Sequence, residues 1–232
     1  MEVYKYQFEA APTQAAKEHA WSPYVDNGGT TLAIAGKDFC VLASDTRLSS
    51  GYSIHTRTAS KITALTDKCV ISTSGMQADQ RTLHKLLESR MVSYKQTHRK
   101  TMSTTAVAQM LSNTLYYKRF FPYYTFNVLG GIDENGVGCV FSYDAVGSFE
   151  RTQYSSSGSG QGLIQPFLDS QVAKKNQTGV KFADLTEEEV VQFVKDTMMS
   201  AGERDIYTGD FVDIAIVNKD GIRWEKFNLK FD

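Results

Sequence analysis

Ten residues, Asn27-Gly28-Gly29-Thr30-Thr31-Leu32-Ala33-Ile34-Ala35-Gly36, constrain the fold of this chain more than any others. Two glycines lead into a short apolar run that reads as a strand, and a third glycine closes it. A second apolar run, 39 to 44, leads directly into the charged turn Ser44-Asp45-Thr46-Arg47. Further short runs lie at 52 to 57 and 68 to 73, separated by Asp45 to Gly51 and Thr66-Asp67. Antiparallel strands joined by turns are expected, with a meander as the simplest arrangement.

Helical spacing begins after Gly75. Leu83, Leu86, Leu87, Met91 and Tyr94 mark an amphipathic helix of about five turns. A second helix is expected from Ser103 to Lys118, with Val107, Met110, Leu111, Thr114 and Leu115 as its stripe and Pro122 as its latest stop. Two strands, 124 to 131 and 137 to 143, flank Asp133-Glu134-Asn135-Gly136, whose Asn-Gly pair signals a hairpin. After a short run, Gly158-Ser159-Gly160 opens a helix through Leu163, Ile164, Phe167, Leu168 and Val172. The last helix starts at a capping box, Thr186 to Glu189, and carries Val190, Val191, Phe193, Val194 and Met198. Strands 211 to 217 and 222 to 229 close the chain across Asp220-Gly221. This order predicts an α+β fold: a four-layer α-β-β-α sandwich of two antiparallel sheets with helix pairs outside.

A chain of 232 residues, 41% of them hydrophobic, can bury one sizeable core. A leader over 1–28, extended and packed on neighbours, followed by one domain over 29–232, is the expected organisation. With a formal net charge of −1, no bulk field favours nucleic acid or a membrane surface, and neither is expected as a partner. Cys40, Cys69 and Cys139 are odd in number and lack CxxC spacing, which argues against a disulfide framework or structural zinc. No apolar run approaches the roughly 20 residues of a membrane span, and Met1-Glu2-Val3-Tyr4-Lys5 lacks the core of a secretory signal. An intracellular protein is expected.

Three kinds of chemistry can be weighed. His19, His55, His84 and His98 sit on different elements without metal-ligand spacing, so no metal is expected. Gly158-Ser159-Gly160-Gln161-Gly162 could cradle an anion at a helix start. It lacks both the dinucleotide fingerprint and the P-loop lysine, so no nucleotide cofactor is expected. A chain-terminal threonine nucleophile needs a hydroxyl, a proton acceptor, a nearby cation, carboxylates to hold that cation, and backbone donors for an oxyanion. Asp45, Lys61, Gly75, Asp205 and Thr208 supply much of that set.

Gly-Thr-Thr-Leu-Ala from Gly29, Ser44-Asp45-Thr46-Arg47, the strand at Lys61, Gly75, Gly158-Ser159-Gly160 and Arg204-Asp205-Ile206-Tyr207-Thr208-Gly209 come in a specific order. Together they resemble the motif set of proteasome β subunits, which are N-terminal-nucleophile hydrolases, and the resemblance covers nearly all of the chain after Ser22. Ser22 to Thr30, Lys118 to Tyr124 and Tyr207-Thr208-Gly209-Asp210 resemble more narrowly a non-catalytic member. The resemblance implies that the supporting aspartate falls on Asp45, the lysine on Lys61, the oxyanion glycine on Gly75, the serine near the nucleophile on Ser159, and the last pair on Asp205 and Thr208. The nucleophilic threonine falls on Gly29, which has no side chain, so no catalytic residue is expected.

Thr30 offers the nearest rescue, but neighbouring side chains on a strand point to opposite faces, so its hydroxyl should face away from Lys61 and Asp45. The family fold further implies other proteasome α and β subunits as partners in stacked seven-membered rings, and a place in the cytoplasm and nucleus. Three functions follow as expectations. The first is a non-catalytic structural subunit that completes the β ring and supports ATP- and ubiquitin-dependent degradation by active neighbours. The second is an active threonine peptidase after trimming to Thr30, and the third is an anion- or nucleotide-binding α/β protein using the 158 to 162 loop.

Overall fold

The structure is a computed structural model that describes residues 21–180 and 185–232. The first 20 residues of the expected leader, His19 among them, lie outside the described residues. Two five-stranded antiparallel sheets form the middle of the molecule. The first joins β1 (Thr30–Ala35), β2 (Phe39–Asp45), β10 (Tyr154–Gly158), β11 (Phe211–Asn218) and β12 (Gly221–Asn228) in the order β10-β1-β2-β11-β12. The second runs β5-β6-β7-β8-β9 in chain order, from β5 (Ile62–Thr66) and β6 (Cys69–Gly75) through β7 (Thr125–Ile132) and β8 (Gly138–Tyr143) to β9 (Phe149–Thr152).

The period-two alternation of the strands builds three separate cores. Leu32, Ile34, Val41, Ala43, Val212, Ile214 and Ile216 face α3 (Gln161–Phe167) and α4 (Glu187–Arg204). Ile71, Leu129, Cys139 and Phe141 face α1 (Gln77–His98) and α2 (Thr104–Tyr117). The residues between them in sequence, Ala33, Cys40, Leu42, Val70, Val128, Val140, Ala215 and Val217, meet in the layer where the two sheets stack. Because β1, β2 and β11 bury apolar residues on both faces, a register slip of one residue would exchange two complementary cores. The four-layer sandwich expected from the sequence is the observed fold.

The capping box of the last helix is as the sequence predicts. The Ser103 hydroxyl accepts from Ala106 N at 3.2 Å and starts α2. Thr186 and Glu189 make both halves of a capping box on α4, a device contributing about 1 kcal/mol. Helix α2 spans Thr104–Tyr117 between caps at Ser103 and Lys118, as expected, and ends where the Lys118 amide turns back to Leu115 and Tyr116. Two expectations are corrected. The strands before Gly75 do not form one meander: β1 and β2 enter the first sheet, β3 (Leu48–Ser50) and β4 (Ser53–Thr56) form a separate hairpin, and β5 and β6 enter the second sheet. In the third helix Ile164, Leu168 and Val172 are buried, whereas Leu163 and Phe167 face outward. Its last turn, Leu168–Val172, widens to a π-helix after Pro166, which shifts the stripe.

Candidate functional site

The first sheet and the loop after α4 converge on the peptide before β1. Gly28 and Gly29 both have left-handed backbones, with φ of 67° and 93°. A Cβ placed on Gly29 would lie 2.4 Å from Lys61 Cε, 2.8 Å from Lys61 Nζ and 3.0 Å from Asp45 Oδ1. This position therefore points straight at the lysine and aspartate, and it carries no atom that can react.

Asp45 ends β2 with its side chain fully buried. Its Oδ1 accepts from Thr30 N at 2.8 Å and Lys61 Nζ at 3.1 Å, and its Oδ2 accepts from Arg47 N and Gly209 N, each at 3.3 Å. Burial raises the carboxyl above the usual aspartate value, while the Lys61 ammonium and the backbone amides oppose that rise. Lys61 immediately precedes β5. Its ammonium also donates to the main-chain oxygens of Asp45 at 2.9 Å and Arg47 at 2.7 Å. With Asp45 Oδ1 as the third acceptor, all three protons of the ammonium are engaged.

A second cluster lies on the opposite face of β1. Thr208 donates to Asp205 Oδ2 at 2.6 Å, and Ser159 donates to the same oxygen at 2.6 Å. The single hydroxyl proton of Thr208 is thus committed. Thr30 must then be the donor in its 2.6 Å contact with Thr208, while its own oxygen accepts from Gly160 N at 3.0 Å. The structure therefore orders a chain from Gly160 N–H through Thr30 and Thr208 to Asp205. Thr30 bridges the two clusters, through its amide to Asp45 and through its hydroxyl to Thr208. As expected from strand alternation, that hydroxyl turns away from Lys61.

The remaining positions have defined places. Gly75 ends β6 beside a cleft of about 200 Å³ that is lined by Asp26, Gly28, Ser74, Ser157 and Ser159 among others. The Gly75 carbonyl accepts from Asn27 N at 3.0 Å. Ser159 N donates to Gly29 O at 3.0 Å. With Gly160 N on Thr30, two amides of the 158 to 162 loop are engaged internally. Among the described residues, no group of three or more histidine, cysteine or acidic side chains is arranged to hold a metal ion. No helix among them is long and apolar enough to cross a membrane.

Sequence reasoning gave no role to three residues that matter here. Arg47 is buried and grips Asp210 through Nε at 2.9 Å, Ile206 O at 3.0 Å and Asp232 O at 2.8 Å. Asp210, also bound by Arg57, holds a left-handed backbone with φ of 71°. Asn27 ties the leader to three elements. The signals were slight: Arg47 and Asp210 each sit at the end of a recognised motif, and Asn27 precedes the glycine pair.

Comparison with known proteins gives a consistent picture. The family model described as proteasome subunit matches residues 25–217. The chain is 62% identical over 211 residues to proteasome subunit beta type-1 of Dictyostelium discoideum, covering 90% of this chain and 89% of that one. It is 56% identical over 221 residues to proteasome subunit beta type-1 of Arabidopsis thaliana, covering 93% and 99%. It is 44% identical over 237 residues to proteasome subunit beta type-6 of Saccharomyces cerevisiae, covering 98% of each.

Proposed function

The chain belongs to the proteasome subunit family, and from that membership we propose that it serves as a β subunit of the core particle without catalysis of its own. One observation carries the second half of this reading. The Cβ direction of residue 29 points at Lys61 Nζ and Asp45, and residue 29 is glycine. A threonine hydroxyl there would be the nucleophile both for release of the leader and for attack on substrate. Glycine can do neither.

The alternative nucleophile is unsuited in every respect the geometry tests. Thr30 is fully buried, its oxygen accepts from Gly160 N, and its proton goes to Thr208. Its amide is held by Asp45. Trimming the chain to Thr30 would leave the hydroxyl on the wrong face of β1, directed at the Asp205 cluster rather than at Lys61.

In this proposal the subunit acts through its surfaces. It completes a seven-membered β ring, stacked with α and β rings in the cytoplasm and nucleus, and supports ATP- and ubiquitin-dependent degradation by active neighbours. The turn after α2 suits that role. Tyr117 and Phe120 are 85% and 98% exposed, with Arg119 over the Phe120 ring at 5.9 Å and Lys118 over Phe121 at 5.6 Å. Exposed aromatic and cationic groups of this kind are enriched at interface hot spots. Intact-mass measurement of the assembled subunit, with and without a threonine-directed electrophile, tests the reading. A start at or before Gly29 with no adduct is expected. A start at Thr30 carrying a stoichiometric adduct would overturn it.

A further inference from the structure

Two asparagine-glycine steps occur in the chain, Asn27-Gly28 and Asn135-Gly136, and the other five asparagines are each followed by a residue with a side chain. In this dipeptide a main-chain amide most readily attacks the carboxamide before it, because glycine puts no side chain in the way. The attack needs two freedoms. The asparagine must turn its Cγ toward the following nitrogen, and that nitrogen must give up its own hydrogen bond. The fold treats the two steps in opposite ways.

At 27 both freedoms are blocked. The carboxamide accepts from Gln77 N at 2.8 Å and donates to Ser49 O at 3.0 Å, while Asn27 N donates to Gly75 O at 3.0 Å. Gly28 is buried, and its amide donates to the Asp26 carboxylate at 2.9 Å. At 135 the constraints are few. Asn135 and Gly136 are both exposed at the tip of the β7–β8 hairpin, and the Asn135 carboxamide has no hydrogen-bond partner among the described residues. Gly136 has open space where a Cβ would be, and its amide makes one bond, to Asp133 O at 3.1 Å. Asp133 Oδ1 fastens the rest of the turn by accepting from Asn135 N at 2.8 Å and Val137 N at 3.0 Å. These bonds open to water whenever the tip frays.

We propose that Asn135 is a site of spontaneous covalent modification, which slowly turns the tip of the β7–β8 hairpin into an aspartyl or isoaspartyl turn, while the fold holds the same dipeptide at 27 inert. The co-reactant is water. Gly136 N gives its proton to solvent and bonds to Asn135 Cγ; the Cγ–Nδ2 bond breaks and ammonia leaves, which closes a succinimide. Water then opens the ring, at Cγ to give aspartate or at the Asn135 main-chain carbonyl to give isoaspartate. No electrons are gained or lost. Either product sets a second carboxylate beside Asp133, which already pairs with Arg151 at 2.7 Å, and isoaspartate also lengthens the main chain within the turn. Gly75 pairs with Thr125 at one end of β7 and the turn follows Ile132 at the other, so the Asp45 and Lys61 cluster is not disturbed.

Peptide mapping by mass spectrometry of the full chain, aged in mildly alkaline buffer with and without urea, tests it. In the native chain the peptide holding Asn135 should gain the mass of an amide converted to an acid. Two additional carboxamide hydrogen bonds should slow the same gain at Asn27 on the order of 30-fold relative to Asn135. In urea, where neither turn survives, the two rates should approach each other. Asn135→Gln should abolish the gain at 135, because the longer side chain closes a ring far less readily. Asp133→Ala removes the fasteners of the turn, so it should speed conversion at 135 and leave 27 unchanged. Should Asp133→Ala fail to fold, the native and urea samples decide the matter alone. Conversion at 27 as fast as at 135 in the native chain, a ratio that does not fall in urea, or an Asn135 that stays intact while the urea sample converts would overturn the proposal.

Discussion

Replacing Lys61 with methionine removes the ammonium at the centre of the site and keeps most of the apolar stem. Asp45 is left fully buried with three amide donors and no cation, and the main-chain oxygens of Asp45 and Arg47 lose their donor. Breaking a buried ion pair from one side costs about 3–5 kcal/mol. In a chain of this size each kcal/mol lowers Tm by about 2–4 °C, so thermal unfolding of the full chain should shift by about 6–20 °C. The pH dependence gives a sharper signature. Burial already raises the Asp45 carboxyl, and loss of Lys61 removes the largest effect that opposes burial. A group whose folded pKa lies above its unfolded value contributes stability that is complete below the unfolded value and is lost as pH rises through the folded one. The deficit of Lys61→Met relative to the native chain should therefore be greatest at neutral pH and shrink as pH falls toward 4. Combination with Asp45→Asn should be non-additive by about 1–3 kcal/mol, since the two groups are in contact. A deficit below about 1 kcal/mol, the range of an exposed pair, or one that is flat with pH, would refute the reasoning.

Two other substitutions test separate parts of the account. His84 is buried between the Thr63 and Thr73 hydroxyls, at 2.8 and 2.7 Å, and burial lowers its pKa from 6.5 to about 4. The lowered value makes stability complete above pH 6.5 and costs up to about 3 kcal/mol as pH falls toward 4; His84→Gln should flatten that limb of a urea-midpoint profile, and an unchanged slope would count against it. Gly29→Ala forces a Cβ into a backbone with φ of 93° and against Lys61, so it should destabilise the chain by at least about 1 kcal/mol; a denaturation midpoint equal to the native one would show that residue 29 is not held in this conformation.

Local pattern carried the strands, helices and caps because each depends on residues only a few positions apart. Leu32 and Ile34 against Ala33, or Thr186 with Glu189, can be read within a single turn or pleat. The sheet partners could not be read this way. Turn signals between 36 and 67 are equally compatible with a meander, whereas the actual first sheet pairs β2 with β11, as in Ala43 with Ile214, across most of the chain. That choice is made by burial of both faces at once. The site showed the same division. Its residues were legible as motifs, yet their wiring was not: the bond from Thr30 to Thr208 spans 178 positions, and the helix-capping bond from Gln77 to Asn27 spans 50.

The wiring also shows how the polar cluster is held together around a glycine. Each polar member is the partner of another buried group. Asp45 satisfies four donors, Lys61 satisfies three acceptors, and Thr208 takes the proton of Thr30 while donating to Asp205. Removing any one strands the others, at about 1–3 kcal/mol for a neutral group and more for a charged one. Residue 29 alone contributes no side-chain bond to this network; what β1 and the 158 to 160 loop use there is its backbone, through the carbonyl that accepts from Ser159 N. A side chain at 29 would have to displace Lys61 Cε, which already fills that volume. Residue 29 is thus a place where a side chain can be absent without leaving a buried partner unsatisfied, while Asp45, Lys61, Asp205 and Thr208 stay tied into the junction of β1, β2 and the loop after α4.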